Sequence, residues 1–406
     1  TTRIYRNAAL AIQARIALHE GTFRKYHPEL KLNDGDRFLK IAVEACRKIM
    51  DTKHYSLSTS KESGLPAYQS LFCSADLTQN PEMILVADYD KALGRLHNAQ
   101  AQFDYNTGLS RSLMEDYLVV EDGQTKYFHE VEGYRTKTVL EIFENRDPRL
   151  EQTFMKPGVL NVGTTEPHRA KLNLGGYPQI KFRPLTFDQM DWGKSYTDLP
   201  IIRYAEILLI YAEAKAELGT LTQDDINNTI NLIRQRAGMP DASLDDWLAN
   251  IDPVQEERYS NVQSSQKGAV LEVRRERRIE LACEGFRYGD LMRWGCGKLF
   301  EAAPEGAYIP GMGYYDVTGD GTPDIAVVEK KADVDKIPEE DKQKYKLTVY
   351  ALEGNTIGLT EGTKGHIYLI AQHGKYTFVS PKYYYYPVAT KDITVNENLY
   401  QNPFWE

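Results

Sequence analysis

The sequence predicts a mainly α-helical protein, built of paired amphipathic helices that carry long irregular loops and a few short β-hairpins. Three observations predict it. Apolar residues recur at helical spacing in three parts of the chain, and in two of them as helix pairs. Between the pairs, residues 55–199 are rich in turn formers and broken by Pro81, Pro148, Pro157, Pro167, Pro178 and Pro184. No clean linker divides the chain, so its 406 residues read as one body. Within that body 1–54 is a helical hairpin, 55–199 a mixed loop-rich region, 200–295 the core helices, and 296–406 a loop-rich region with short strands.

The first helix is expected over 8–21, ending on Gly21, a residue suited to a helix C-terminus. The second covers 36–50, with Phe38, Ile41, Ala45 and Ile49 as its apolar stripe. A comparable pair follows. Pro200 opens a helix in which Ile207, Tyr211, Ala214 and Leu218 share a face and which Gly219 ends, and residues 224–237 form its partner. Both first helices carry alanine seven residues before the glycine, at Ala14 and Ala212. Small residues there let helices approach closely, and the arrangement resembles the hairpins of tetratricopeptide repeats, which need neighbours to bury their apolar faces. A third strong helix is expected over 269–294. Beyond Gly295 the chain turns irregular, and 367–371 with 376–380 read as a β-hairpin around Gln372, His373, Gly374 and Lys375.

Composition removes some functions. With 49 Lys and Arg against 58 Asp and Glu the net charge is −9, which argues against nucleic acid, whose phosphates are held by basic stripes. No apolar run is long enough to cross a bilayer. Cys46, Cys73, Cys283 and Cys296 show neither metal-type nor redox-type spacing and read first as small buried hydrophobes, with a disulfide as the minor alternative. The chain begins at Thr1 with no charged-then-apolar signal region, which reads as a mature, trimmed or truncated N-terminus.

The sharpest motif is VRRERRIELACEGFRYGDLMRWG, residues 273–295. On one helix Arg277 would reach Glu280, Glu284 would reach Arg287, and Arg287 would reach Asp290, with Ile279, Cys283 and Phe286 as the apolar face. This reads as a structural charge ladder. Glu276, Arg277, Arg278, Glu280, Leu281, Glu284, Gly285, Arg287, Asp290, Leu291, Arg293 and Trp294 match the signature of the SusD/RagB family, which the segment closely resembles. Residues 203–219, 230–240 and the closing YYYYPVATKDITVNENLYQNPFWE agree with the same family in the same order. The resemblance implies a SusD-like α–α superhelix of tetratricopeptide-like hairpins. It also implies a non-catalytic outer-membrane lipoprotein of a Bacteroidetes-type bacterium, which captures a nutrient, a glycan first, for a SusC-like TonB-dependent transporter. The family's lipid-bearing cysteine and first helical region have no counterpart here, so membrane attachment would come through an N-terminal lipid not present in this chain.

A second motif, DVTGDGTPD, places oxygens at Asp316, Thr318, Asp320 and Asp324, with Thr322 offering its carbonyl and Gly321 the sharp turn, as in calcium loops. Val327 stands where a bidentate glutamate would close an EF-hand, so the expectation is a structural Ca²⁺ that stiffens a loop. Sugars present apolar faces ringed by hydroxyls, and aromatic side chains suit them. With 27 tyrosines in the chain, the candidates are Tyr308, Tyr314 and Tyr315 beside that loop, together with Trp192 and Trp247. Three alternatives compete: a peptide ligand, a helical-repeat adaptor for proteins, and a glycoside hydrolase. For the last, G-x-S-x-G, H-E-x-x-H and a phosphate loop are absent, and Asp245-Asp246 and Glu339-Glu340 read as solvated surface.

Overall fold

The structure is a computed structural model that describes residues 2–99 and 108–405. Helices α1 (Arg6–Tyr26) and α2 (Gly35–Met50) form the first hairpin. Ala8, Ala11 and Ala14 line α1 with no solvent exposure. Gly21 does not end this helix. It is where α2 crosses: a Cβ there would stand 2.8 Å from Leu39 Cγ and 3.0 Å from the Gly35 carbonyl oxygen. α1 therefore runs five residues past the expected end, and the glycine serves packing rather than termination.

Helix α3 (Tyr204–Glu217) lies at the centre, packed against α1, α2 and α5 (Lys267–Glu280). Every residue of α3 except Lys215 is buried. Pro200 lies in a strand and does not open the helix: β1 (Met83–Ala87) pairs antiparallel with β4 (Leu199–Arg203), and α3 starts where that pairing stops. Gly219, at φ +68°, closes the segment as expected. The partner helix is split into a turn over Gln223–Asn227 and α4 (Ile230–Ala237), because Thr229 at φ −134°, ψ −83° breaks the ladder.

The expected 269–294 helix is also two helices. α5 ends at Glu280, Cys283 and Gly285 adopt positive φ of 64° and 83°, and α6 (Phe286–Arg293) turns back. Side chains hold the break. The Glu280 carbonyl accepts from Tyr68 Oη at 2.8 Å, Arg203 Nη2 at 2.8 Å and Lys181 Nζ at 3.3 Å, so the end of α5 is capped by donors from elsewhere. The anticipated ladder along one helix does not form. Arg277 donates to Asp290 at 2.8 Å across the turn, Glu284 accepts from Arg203 and Lys181, and Arg287 donates to the Tyr259 hydroxyl. The turn also leaves Cys283 exposed, against the expected burial, while Cys46, Cys73 and Cys296 are buried and all four are free.

The remaining strands are short. β2 (Val119–Glu121) and β3 (Gln124–Lys126) make a hairpin. β5 (Glu305–Ile309), β9 (Ile357–Leu359) and β10 (Gly365–Leu369) form one antiparallel sheet with β10 central. β6 (Gly313–Tyr315), β7 (Ile325–Val328) and β8 (Thr348–Ala351) form another, antiparallel between β6 and β7 and parallel between β7 and β8. The expected 367–371/376–380 hairpin is absent. β10 takes β5 and β9 as neighbours instead, and residues 376–379 carry no strand.

Two large apolar clusters result. One gathers α1, α2, α3 and most of α5, and the other gathers residues 114–177 with the C-terminal strands. α5 reaches both, with Val270, Leu271 and Val273 in the first and Ile279 in the second. Its carboxylates are buried and paired. Glu276 accepts from Arg234 at 2.5 Å and Arg149 at 3.0 Å, and Glu280 from Arg203 at 2.6 Å and from Arg236 and Arg149. On α3, Glu213 accepts from Arg293 at 2.5 and 2.7 Å and from Trp294 Nε1 at 2.8 Å. Such pairs are strong only when the lone pairs find donors, and here two guanidiniums meet Glu276, three meet Glu280, and Arg293 with the Trp294 indole meets Glu213.

Candidate ligand-binding site

The two C-terminal sheets meet at a cavity of about 190 Å³. Its border takes Tyr308 from β5 and Tyr314 and Tyr315 from β6, together with Val139, Leu140 and Pro310. The cross-strand register holds these tyrosines: Tyr308 opposes His366, Tyr314 opposes Ala326 and Tyr315 opposes Ile325. Tyr315 Oη donates to the Gly311 carbonyl at 2.7 Å, and Tyr314 Oη donates to Asp341 at 3.1 Å. The Tyr308 ring meets the His366 ring edge-on at 5.4 Å. Tyr314 keeps 38% of its surface exposed, which leaves ring area for a ligand. The three tyrosines singled out in the sequence thus share one cavity.

The two tryptophans do not join them. Trp247 is 4% exposed, lies in the α1–α3 core with the Arg234 guanidinium 5.8 Å from its ring centre, and its carbonyl abuts Gly268, where a Cβ would stand at 1.8 Å. Trp247 is the one buried residue of the helix Leu244–Ala249 and borders neither opening. Trp192 is 76% exposed and borders neither this cavity nor the larger cleft described below.

The 316–324 loop adjoins the tyrosine cavity, with Asp316 and Val317 on its border. Its carboxylates serve the loop's own backbone. Asp316 accepts from the N–H groups of Thr318, Gly319 and Gly321 at 2.9, 2.6 and 2.8 Å, and Asp320 accepts from the N–H and hydroxyl of Thr322 at 2.8 and 2.5 Å. Buried Asp324 accepts from Val317 and Thr318 N–H at 3.0 Å each and pairs with Arg169 at 3.2 Å. Among the described residues no three His, Cys, Asp or Glu side chains are grouped to hold a metal ion. The loop as folded is stiffened by side chain-to-backbone hydrogen bonds.

A second opening, of about 730 Å³, was not anticipated. Arg111, Arg258, Arg278 and Arg287 border it, along with the aromatic rings of Phe300 and Tyr376, the latter 55% exposed. Asp116 accepts from Arg258 at 2.7 Å, Arg278 at 2.5 Å and Gln255 at 2.8 Å. Burial alone would raise the Asp116 carboxyl, but Arg258, Arg278 and Arg275 outweigh it and hold the carboxyl well below its ordinary range. Burial pushes the Arg278 guanidinium down to about 10, with Asp116 opposing and Arg287 and Arg258 pushing further the same way. Arg287 was expected as a ladder member on one helix, and Arg278 only as a residue of the signature motif. The only signal in the sequence was an excess of arginine over carboxylate in the 273–295 segment, and it does not say on which side of the fold the surplus emerges.

The model of the SusD family matches residues 82–405. The chain belongs to the SusD family. A curated relative, the SusD-like protein P38 of Formosa agariphila, is 23% identical over 272 residues, 62% of this chain and 48% of the relative. A solved SusD-like carbohydrate binding protein of Bacteroides fragilis superposes with a TM-score of 0.63 at 22% identity, covering 98% of this chain and 66% of its own. A second SusD-like protein of Bacteroides fragilis gives 0.61 at 17% identity, covering 100% and 66%. The chain thus spans about half the length of the curated relative and 66% of these structures. The helical fold expected from the SusD/RagB resemblance is the fold observed. In this SusD-family chain the signature residues Glu276, Glu280, Glu284, Asp290 and Arg293 are scaffold, each buried or bonded within the ion network.

Proposed function

We propose that this chain captures a glycan at the outer-membrane surface and hands it to a SusC-like TonB-dependent transporter, without chemistry on the ligand. The observation that carries the proposal is the cavity that Tyr308, Tyr314 and Tyr315 border from two short sheets, a group of aromatic residues carrying hydroxyls. Membership in the SusD family supports the ligand class, as does the shared fold of the SusD-like carbohydrate binding protein of Bacteroides fragilis. A binding role is also supported by the state of the carboxylates at the openings: Asp116 and Glu305 are tied to arginines, and Asp316 to its own backbone, so none stands free as a general acid or base. The transporter, the surface location and a lipid anchor belong to the same proposal and are supported by family membership alone. No described helix is long and apolar enough to cross a membrane.

The test is binding of the protein to a panel of oligosaccharides and peptides by calorimetry, with reducing ends assayed in parallel. One glycan class should bind without release of reducing ends, and the double variant Tyr314→Ala/Tyr315→Ala should weaken it about tenfold, the scale of one or two lost stacking contacts. Unchanged affinity in that variant would remove the cavity from the proposal, peptide binding alone would replace the ligand class, and new reducing ends would make the protein an enzyme. Calcium at the 316–324 loop is a second proposal, supported by its oxygen spacing alone. Heat on titration after chelation and a raised melting temperature would support it, and a null titration would end it.

A further inference from the structure

The cleft bordered by Arg258, Arg278 and Arg287 has more positive charge than its surroundings neutralise. Arg258 and Arg278 share one carboxylate, Asp116, which also serves Gln255. Arg111, on the same border, has Glu115 and Glu305, each at 3.2 Å. Arg287 has no carboxylate partner among the described residues. Its guanidinium donates to the Tyr259 hydroxyl at 2.7 Å and lies 5.8 Å from that ring's centre. Arg278 feels both Arg287 and Arg258 as like charges. Arg258 and Arg278 are bonded to one carboxylate and Arg287 to none, so an incoming anion would relieve the repulsion among them, on a protein whose net charge is −9.

The geometry suits that anion. Arg258 and Arg278 are held by Asp116, and Arg278 also donates to the Ser112 carbonyl and hydroxyl at 2.9 Å each, so these guanidiniums are fixed before a ligand binds. The exposed Tyr376 ring and Phe300 border the same opening, which has room for several sugar rings. Forked guanidiniums match the two oxygens of a carboxylate or a sulfate ester, and aromatic faces match sugar rings.

We infer that this cleft binds an acidic saccharide, with Arg287 as the principal contact for a uronate carboxylate or sulfate ester and Arg278 and Arg258 behind it. The inference deepens the glycan reading and rests on it for the ligand's sugar part, while the anion site stands on the arginines.

The experiment is calorimetry of the full chain with three oligosaccharides of equal length, one uronate-containing, one sulfated and one neutral, plus inorganic sulfate alone. One acidic arm should bind at least tenfold more tightly than the neutral arm, and which arm does so tells carboxylate from sulfate. That preference should shrink as sodium chloride is raised, a readout that needs no variant. Arg287→Gln should bring the ratio of acidic to neutral affinity near one, with circular dichroism confirming the fold. Equal affinity for acidic and neutral arms, or a preference indifferent to salt and to Arg287→Gln, overturns the inference. Sulfate binding that Arg287→Gln abolishes, with every saccharide silent, keeps the anion site and sinks the glycan reading. Silence in all four arms sinks both.

Discussion

Glu213 shows how a single residue can carry the weight of a motif. It is fully buried in α3 and takes three hydrogen bonds from Arg293 and Trp294, both at the end of the signature segment. Glu213→Ala leaves the Arg293 guanidinium buried without its main partner, and the expected loss is about 3–5 kcal/mol, read as a lower denaturant midpoint. Trp247→Ala makes the complementary point. It opens a core cavity and should cost about 3–5 kcal/mol while leaving ligand affinity unaltered, which separates its packing role from the binding role its type suggests. Cys283 is the exposed thiol at a positive φ, and Cys46, Cys73 and Cys296 are buried. A thiol reagent should label Cys283 first in the native protein, at a rate that rises with pH because burial of its surroundings pushes the thiol up to about 11, and all four in denaturant. Prompt labelling of two or more would mean that α2, which carries Cys46, or the segments that carry Cys73 and Cys296 open readily.

At the scale of the element, periodicity announced α1 and α2 because each has a neighbour on its apolar face, and α3 by its apolar length, which is buried on every side but at Lys215. Their ends were less legible. Gly21 looked like a stop signal, yet it permits the crossing with α2, and Gly21→Ala should destabilise by about 1–3 kcal/mol by pressing a methyl group on Leu39 and the Gly35 carbonyl. The break after Glu280 could not be read locally, since its cap comes from Tyr68, Lys181 and Arg203, all distant in sequence. The same network sets the response to acid. Burial would raise Glu276, Glu280 and Glu284, but the guanidiniums of Arg234, Arg236, Arg203 and Arg149 and the Lys181 ammonium outweigh it and hold all three below the ordinary carboxylate value. Carboxyls depressed in the folded state stabilise it above their unfolded pKa, near 4.3, and this contribution is lost as pH falls through the lower folded values. Glu272 is raised and contributes in the opposite sense, one group against three. The denaturant midpoint should therefore fall steeply below about pH 4.5. A flat profile to pH 3 would contradict the network.

For the whole molecule, α5 is the shared element. It places Val270, Leu271 and Val273 in one core, Ile279 in the other, and its carboxylates among arginines from three separate segments. The cores have no independent stabilising seam at this helix, so calorimetry should show one main unfolding transition. Two resolved transitions would mean that the loop-rich region is anchored elsewhere. The site lies between these scales. The tyrosine cavity was legible because Tyr308, Tyr314 and Tyr315 are near in sequence and two short strands bring them together. The arginine cleft was not, since Arg111, Arg258, Arg287 and Tyr376 are far apart along the chain and meet only through the fold.

Sequence by itself determined the helical class, the first hairpin, the existence of the helix after Arg203 and, through four ordered motifs, the resemblance that the SusD family match bears out. These depend on local periodicity and on residue types that a short window displays. Tertiary structure alone decided that the signature helix breaks in two, that its charges pair with distant segments rather than along one face, that Trp247 is core, and that an uncompensated guanidinium opens onto a cleft. Each of those depends on partners that arrive from tens to hundreds of residues away, and a charge or a cap takes its meaning from the group that meets it.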